Sequence, residues 1–162
     1  MIVRSISEAS YPDVARIYEE GIVTGVATFE TEAKDWAEWD KSHFQFGRII
    51  ACEDEYVLGW AGLSPVSSRC VYGGVAEVSV YVAADARGKG VGKYLLNQLI
   101  KGSEENNIWT LQSRVFRENI RSIALHEKCG FRIIGYKERI GKLHGQWMDN
   151  VLLERRSNVV GI

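Results

Sequence analysis

Residues 87–92 read Arg-Gly-Lys-Gly-Val-Gly, three alternate glycines introduced by one base and interleaved with another. Glycine leaves backbone N–H groups unscreened by a side chain, and a run of them beside cationic residues is the raw material of an anion nest. Two common phosphate loops do not fit. A dinucleotide fingerprint requires Gly-x-Gly-x-x-Gly in a leading strand–helix–strand unit, whereas this run is Gly-x-Gly-x-Gly, late in the chain and after a strand meander. A P-loop needs Ser or Thr after its Gly-Lys pair, and Gly92-Lys93 is followed by Tyr94. What fits is a strand, a turn, the glycine run and a helix starting near Val91. The N–H groups and helix dipole of such an arrangement converge on one anion of the pyrophosphate kind.

Just upstream lies a carboxylate. In the stretch Ala76–Val82, strand alternation puts Ala76, Val78, Val80 and Val82 on one face and Glu77, Ser79 and Tyr81 on the other. If both faces are covered, Glu77 is costly to bury, and burial tunes a carboxyl for proton transfer. A solvent-facing or ion-paired glutamate is the other reading of the same alternation. Cys52, Cys70 and Cys129 form an odd, widely spaced set with no Cys-x-x-Cys pair, which argues against a disulfide framework or a zinc site. Their apolar, strand-like neighbours mark them as buried packing thiols, and no metal is expected.

These groups must be positioned by a scaffold, and the chain spells one out. Residues 2–6 alternate as a first strand. Ser10 and Asp13 have capping-box spacing ahead of a helix striped by Val14, Ile17, Tyr18 and Ile22, with Gly21 or Gly25 at its end. An extended, partly buried connection follows, then Asp35 and Glu38 cap a shorter helix carrying Trp36, Trp39 and Phe44. Strands are expected at 48–54, 55–66 and 71–83, with a turn around Glu53 to Glu55. Val91, Leu95, Leu96, Leu99 and Ile100 fall at helical spacing. A strand over 108–116, a helix capped by Asn119 and stopped by Gly130, and strands over 131–141 and 146–156 complete the order. This is an α/β chain with a mixed, mostly antiparallel sheet of about seven strands flanked by helices, read as one domain over 1–162.

Composition sets outer bounds. The 162 residues are 46% hydrophobic and 25% charged, with a net charge of −1, so bulk electrostatics give no hold on nucleic acid. No run approaches the ~18 apolar residues of a membrane span, and the N-terminus lacks a secretory apolar core. A cytoplasmic protein without a membrane or nucleic-acid partner is expected.

The Arg87–Gly92 run, with the strand before it, resembles the Arg-x-x-Gly-x-Gly signature of the GNAT acyltransferase superfamily, and the similarity runs over most of the chain. Within it, the sequence is most similar to the phosphinothricin or methionine sulfoximine N-acetyltransferases. The spacing of Arg69, Tyr72 and Glu77, the Thr-Phe-Glu-Thr-Glu near residue 28, the stretch from Asn119 to Phe131 and the His144–Asp149 run all echo that group.

The resemblance implies acetyl-CoA as cosubstrate, its pyrophosphate on Arg87, Gly88, Lys89, Gly90, Val91 and Gly92. The pantetheine arm would pair with main chain at Val80, Tyr81 and Val82 on a strand splayed from its neighbour. An N–H near Val82 would polarise the thioester carbonyl. Asn119 and Ser122 would add a cofactor contact, or simply cap their helix, and Lys128 would reach a CoA phosphate. Glu77 would be the base for the attacking amine. Phe29, Glu30, Arg69, Tyr72, Ser79 and His144 match substrate-side positions. Arg69 would pair with a carboxylate or phosphinate, or be a loop charge, and His144 is otherwise a surface histidine. Trp60 and Trp147 read as packing residues. Many members carry a tyrosine acid where His126 stands, which leaves the proton for the departing thiolate unassigned. A small-molecule amine partner and a homodimer follow from the group. The rival acceptors are a protein N-terminus, an aminoglycoside or a polyamine, and the rival class is a CoA-binding module without turnover.

Overall fold

The computed structural model describes residues 1–162. Seven strands form one sheet: β1 (Ile2–Ser5), β2 (Arg48–Glu53), β3 (Tyr56–Pro65), β4 (Val75–Val82), β5 (Thr110–Phe116), β6 (Arg132–Leu143) and β7 (Gln146–Arg156). The four helices are α1 (Tyr11–Val23), α2 (Trp36–Ser42), α3 (Val91–Glu105) and α4 (Ile120–Lys128). Spatial order is β1-β2-β3-β4-β5-β7-β6. Only β4 and β5 run parallel. No helix is long and apolar enough to cross a membrane.

The two sheet faces are covered by different helices. On one, Tyr81 of β4 lies against α1, where a Cβ at Gly21 would come within 2.9 Å of its ring. On the other, a Cβ at Gly59 would meet Leu95 of α3 at 2.9 Å, and one at Gly92 would meet Leu125 of α4 at 3.1 Å. The α3 stripe of Val91, Leu95, Leu96, Leu99 and Ile100 is buried against the sheet, as its spacing predicts.

Local signals are met in part. Asp35 caps α2 by accepting from the Glu38 N–H at 2.9 Å, and Asn119 caps α4 by accepting from Ser122 N–H at 3.3 Å. Ser10 does not cap α1 with its side chain; its hydroxyl turns back to Ser7, accepting from the N–H and donating to the carbonyl. Residues 24–35 are a series of bends rather than an extended segment. Residues 70–72, expected to begin a strand, form a 3₁₀ turn. Cys52 and Cys129 are buried thiols, their pKa pushed up chiefly by burial, but Cys70 is exposed on that turn. Trp60 is buried, whereas Trp147 is 55% exposed on the last hairpin, with the Lys142 ammonium over its ring.

Candidate active site

The geometry of β4 organises the site. The Gly74 carbonyl, just before the strand, accepts from Trp109 and Thr110 N–H on the β5 side, and Ala83 N–H, just after it, donates to Leu58 on the β3 side. Backbone polar groups alternate sides along a strand, so Ala76, Val78, Val80 and Val82 direct theirs toward β5, and Glu77, Ser79 and Tyr81 toward β3. Pairing with β3 continues along the whole strand, to Gly59 opposite Val82. Pairing with β5 ends at Glu77 opposite Gln112. The main-chain groups of Val80 and Val82, with the Val78 carbonyl, therefore face a wedge-shaped gap between parting strands, the Val78 N–H being taken up by the last ladder bond to Gln112. Tyr81, by contrast, has its main chain committed to β3 and offers the site its ring.

At the wide end of that gap stands the glycine run. Gly88 and Gly90 have φ of 76° and 81°, left-handed conformations that a side chain would strain. Gly92 differs: it lies inside α3, where a Cβ would stand 3.1 Å from the Leu125 side chain and 3.6 Å from Val82. Gly90 caps α3 without a side-chain hydrogen bond, so the first N–H groups of this 15-residue helix are left for a ligand or solvent. Arg87 folds inward, its Nε donating to the Val82 carbonyl and its Nη2 to the Glu20 carbonyl, both at 3.3 Å.

At the narrow end stands Glu77. Its side chain is 25% exposed rather than sealed, and the Arg114 Nη2 lies 3.0 Å from both carboxylate oxygens. A partly exposed pair of this kind contributes at most about 1 kcal/mol to stability. Its consequence is chemical: the carboxylate is oriented by β5 and kept in contact with the cavity.

That cavity, about 1200 Å³, runs from the glycine loop past the gap to the α1–α2 side. Among the residues singled out in the sequence it is lined by Phe29, Glu30, Glu77, Ser79, Val80, Tyr81, Val82, Arg87, Gly88, Gly90, Val91, Gly92, Asn119, Ser122 and Lys128. Lys89 is exposed outside the wall. Arg69 and Tyr72 also lie outside it, the guanidinium 5.5 Å over the phenol ring on the 3₁₀ turn before β4. His144 occupies the tip of the β6–β7 hairpin at φ 48°, exposed and away from the wall.

Of the other wall residues, Tyr18, Trp60 and His126 read in the sequence chiefly as packing, and His43 is not singled out there. Tyr18 meets Tyr81 edge to face at 4.8 Å, and Trp60 stacks on Tyr81 at 5.1 Å. Burial pushes up both tyrosine pKa values, so these rings are neutral. Phe29 packs edge to face on Phe116 at 4.6 Å, beneath Gly141 of β6. His43 stacks on Trp39 at 3.9 Å, and burial pulls its pKa down to about 4. Aromatic residues four apart on a short helix, Trp39 and His43, were the available signal. His126 is also buried, its Nδ1 2.7 Å from the Ser122 carbonyl and its Nε2 3.0 Å from Ser113 Oγ. The carbonyl can only accept, so Nδ1 carries the proton, and desolvation lowers the pKa to favour that neutral ring.

Residues 11–131 match the acetyltransferase (GNAT) family. The chain is 33% identical over 162 residues to phosphinothricin N-acetyltransferase of Alcaligenes faecalis, covering 96% of this chain and 82% of that one. It is 28% identical to an L-methionine sulfoximine/L-methionine sulfone acetyltransferase of Pseudomonas aeruginosa, covering 94% and 92%. Among solved structures, a GNAT superfamily phosphinothricin acetyltransferase from Sinorhizobium meliloti in complex with AcCoA superposes with a TM-score of 0.88. That pair is 28% identical, over 99% of this chain and 90% of the other.

Proposed function

The chain belongs to the acetyltransferase (GNAT) family and is an acetyl-CoA-dependent N-acetyltransferase; on that premise we propose that its acceptor is the α-amine of a small, amino-acid-like molecule, attacked directly in a ternary complex. The observation that carries the reading is the wedge between β4 and β5. It has unpaired main chain along one wall, a glycine nest at its mouth and a carboxylate at its apex.

Bound acetyl-CoA supplies an activated acetyl group. The chain's own residues do the rest. Gly88, Gly90 and the open α3 N-terminus, with Arg87 and Lys89 nearby, hold the pyrophosphate through N–H donors and the helix dipole. Arg87 would trade its two carbonyl contacts for the phosphate. Val80 and Val82 present N–H and C=O to the pantetheine arm, with the Val78 carbonyl beside them, and an N–H of this set stabilises charge on the thioester oxygen. Asn119 keeps its capping bond while its helix, with Ser122 and Lys128, forms the opposite bank. Glu77 accepts the amine proton directly or through water, and Arg114 fixes which way the carboxylate faces.

On the acceptor side, Phe29, Glu30 and Ser79 stand in the cavity wall, and similarity to enzymes named for phosphinothricin and methionine sulfoximine favours acceptors of that type. Arg69, Tyr72 and His144 would reach such an acceptor in a homodimer, with a second copy completing the pocket. Exposed apolar residues on the last hairpin, Ile133, Ile134, Tyr136, Ile140 and Trp147, support that assembly. The reading also takes the protein as a cytoplasmic enzyme. Its test is thiol release from acetyl-CoA with L-phosphinothricin and L-methionine sulfoximine against an aminoglycoside, a polyamine and a peptide N-terminus. Preference for the two amino-acid analogues is expected. Preference for any of the other three moves the acceptor class, and CoA binding without thiol release from any amine favours a non-catalytic module.

A further inference from the structure

The corner between α2 and β2 carries a histidine held with more care than packing requires. Arg48, 6% exposed, donates to the carbonyls of Phe44, Asp40 and His43 and to the Asp40 carboxylate, locking the chain around residue 43. The His43 ring lies flat on Trp39, and its Nδ1 sits 2.8 Å from the Trp39 carbonyl and 3.0 Å from Ser42 Oγ. A carbonyl accepts and cannot donate, so Nδ1 carries the hydrogen and Nε2 carries the lone pair.

That lone pair is unused. Neither side-chain hydrogen bond of His43 involves Nε2. Nor is Nε2 sealed in: the buried side-chain polar atoms without partners are the Trp39 and Trp60 indole nitrogens. The two indoles meet edge to face at 5.8 Å, a geometry in which an N–H can point at a π face. Nε2 thus keeps accessible surface on a residue that helps to line the cavity.

Its place in that cavity is set by a glycine. A Cβ at Gly62 would lie 3.0 Å from His43 Cδ2 and 3.5 Å from Nε2, so the bare backbone of β3 admits the imidazole edge onto the sheet. Gly62 is the register partner of Ser79, which stands on β4 between Glu77 and Tyr81 on the same face. The lone pair thus lies beside the row of side chains that begins with Glu77.

We propose that His43 contacts the acceptor: its Nε2 accepts a hydrogen bond from the acceptor's amine N–H and so aims the amine lone pair at the thioester. This rests on the acetyltransferase reading given above and adds a second amine contact to Glu77. The chemistry is consistent. Burial, with Arg48 and Lys34 as neighbouring cations, keeps the imidazole neutral down to about pH 4. The same cations disfavour an ammonium here and favour the neutral amine that can attack. No proton is transferred to His43; the amine proton goes to Glu77.

The test is initial-rate kinetics by thiol release, with L-methionine sulfoximine as acceptor, beside direct titration with acetyl-CoA. His43→Phe keeps the stacking and removes the acceptor atom. It should raise the KM for the amine about 10-fold, the scale of one lost hydrogen bond to a polar group, and leave acetyl-CoA affinity unchanged. His43→Gln, whose amide oxygen can stand near the Nε2 position, should recover most of that loss. Gly62→Ala should displace the imidazole and raise the same KM with the native histidine present, which keeps the test open if His43→Phe does not fold. An unchanged amine KM in His43→Phe or in Gly62→Ala overturns the proposal. Equal impairment of the Phe and Gln variants together with weakened acetyl-CoA binding also overturns it, by showing a structural role. Absence of thiol release from the native enzyme with every amine overturns the acetyltransferase reading itself, and this proposal with it.

Discussion

The donor and acceptor ends of the cavity are built in different ways. On the proposed reading the donor end works through main chain: N–H and C=O of Val80 and Val82, with the Val78 carbonyl, in the gap, and the turn at Gly88 and Gly90. At the acceptor end they are side chains converging from α1, α2, β3, β4 and the 24–35 connection, namely Tyr18, Phe29, His43, Trp60, Ser79 and Tyr81. A main-chain site depends on strand pairing and torsion angles, so it tolerates side-chain change. A side-chain site can be retuned residue by residue without touching the fold.

The sharpest way to break this comparison is a proline pair. Val80 N–H faces the gap and makes no ladder bond, whereas Ser79 N–H faces β3. Val80→Pro should remove the cofactor contact and weaken acetyl-CoA binding more than about 100-fold, the combined effect of one lost donor and the proline ring in the gap. Ser79→Pro should cost more in melting temperature, because it cuts the β3–β4 ladder. Val80→Ile, which changes only the side chain, should bind acetyl-CoA normally. Equal loss of cofactor in Val80→Pro and Val80→Ile would remove the main-chain account.

The glycines sharpen it further. Gly90→Ala cannot hold φ 81° without strain of roughly 1–2 kcal/mol, so the free turn relaxes, and re-forming it should weaken acetyl-CoA binding about 10-fold with little change in melting temperature. Gly92→Ala, at a helical φ where the Leu125 side chain need give way by only a few tenths of an ångström, should spare affinity. Titration calorimetry and thermal denaturation of the two variants separate these outcomes.

How much could be read from the sequence follows the same division. The order of strands and helices is carried by local periodicity and caps, such as the α3 stripe and Asn119, and it is met throughout. The donor loop is legible for the same reason, since positive φ demands glycine in the sequence itself. Ser10 shows the limit of a spacing rule: its hydroxyl found the nearer Ser7 backbone. The acceptor end depends on which distant side chains meet. Trp39 and His43 stand four apart, but nothing in the sequence announces that Trp60 shares their wall, and Gly62 gains its meaning only opposite His43. Cys70 and Trp147 are exposed because a turn and a hairpin carry them away from the sheet, which composition does not reveal.

A further expected effect is one of pH on stability. His43 has its pKa lowered from 6.5 to about 4 in the fold, so below 6.5 the unfolded chain binds a proton that the folded chain refuses. The stabilisation is complete above about pH 6.5 and is lost as the pH falls toward 4, amounting to on the order of 2–3 kcal/mol. His126, shifted in the same direction by burial, adds to this slope. His43→Phe should flatten the fall in denaturant midpoint between pH 7 and pH 4 relative to the native protein, and an unchanged slope would contradict the buried, neutral state of that ring.

Glu77, at the apex of the gap, is proposed to accept the proton of the attacking amine and to take no part in holding the donor. That role is tested most directly by Glu77→Gln, measured at saturating L-methionine sulfoximine and acetyl-CoA across pH, beside acetyl-CoA titration of the same variant. Turnover about 100-fold or more below the native enzyme, with unchanged acetyl-CoA affinity, is the predicted result. Native turnover across the pH range would contradict it.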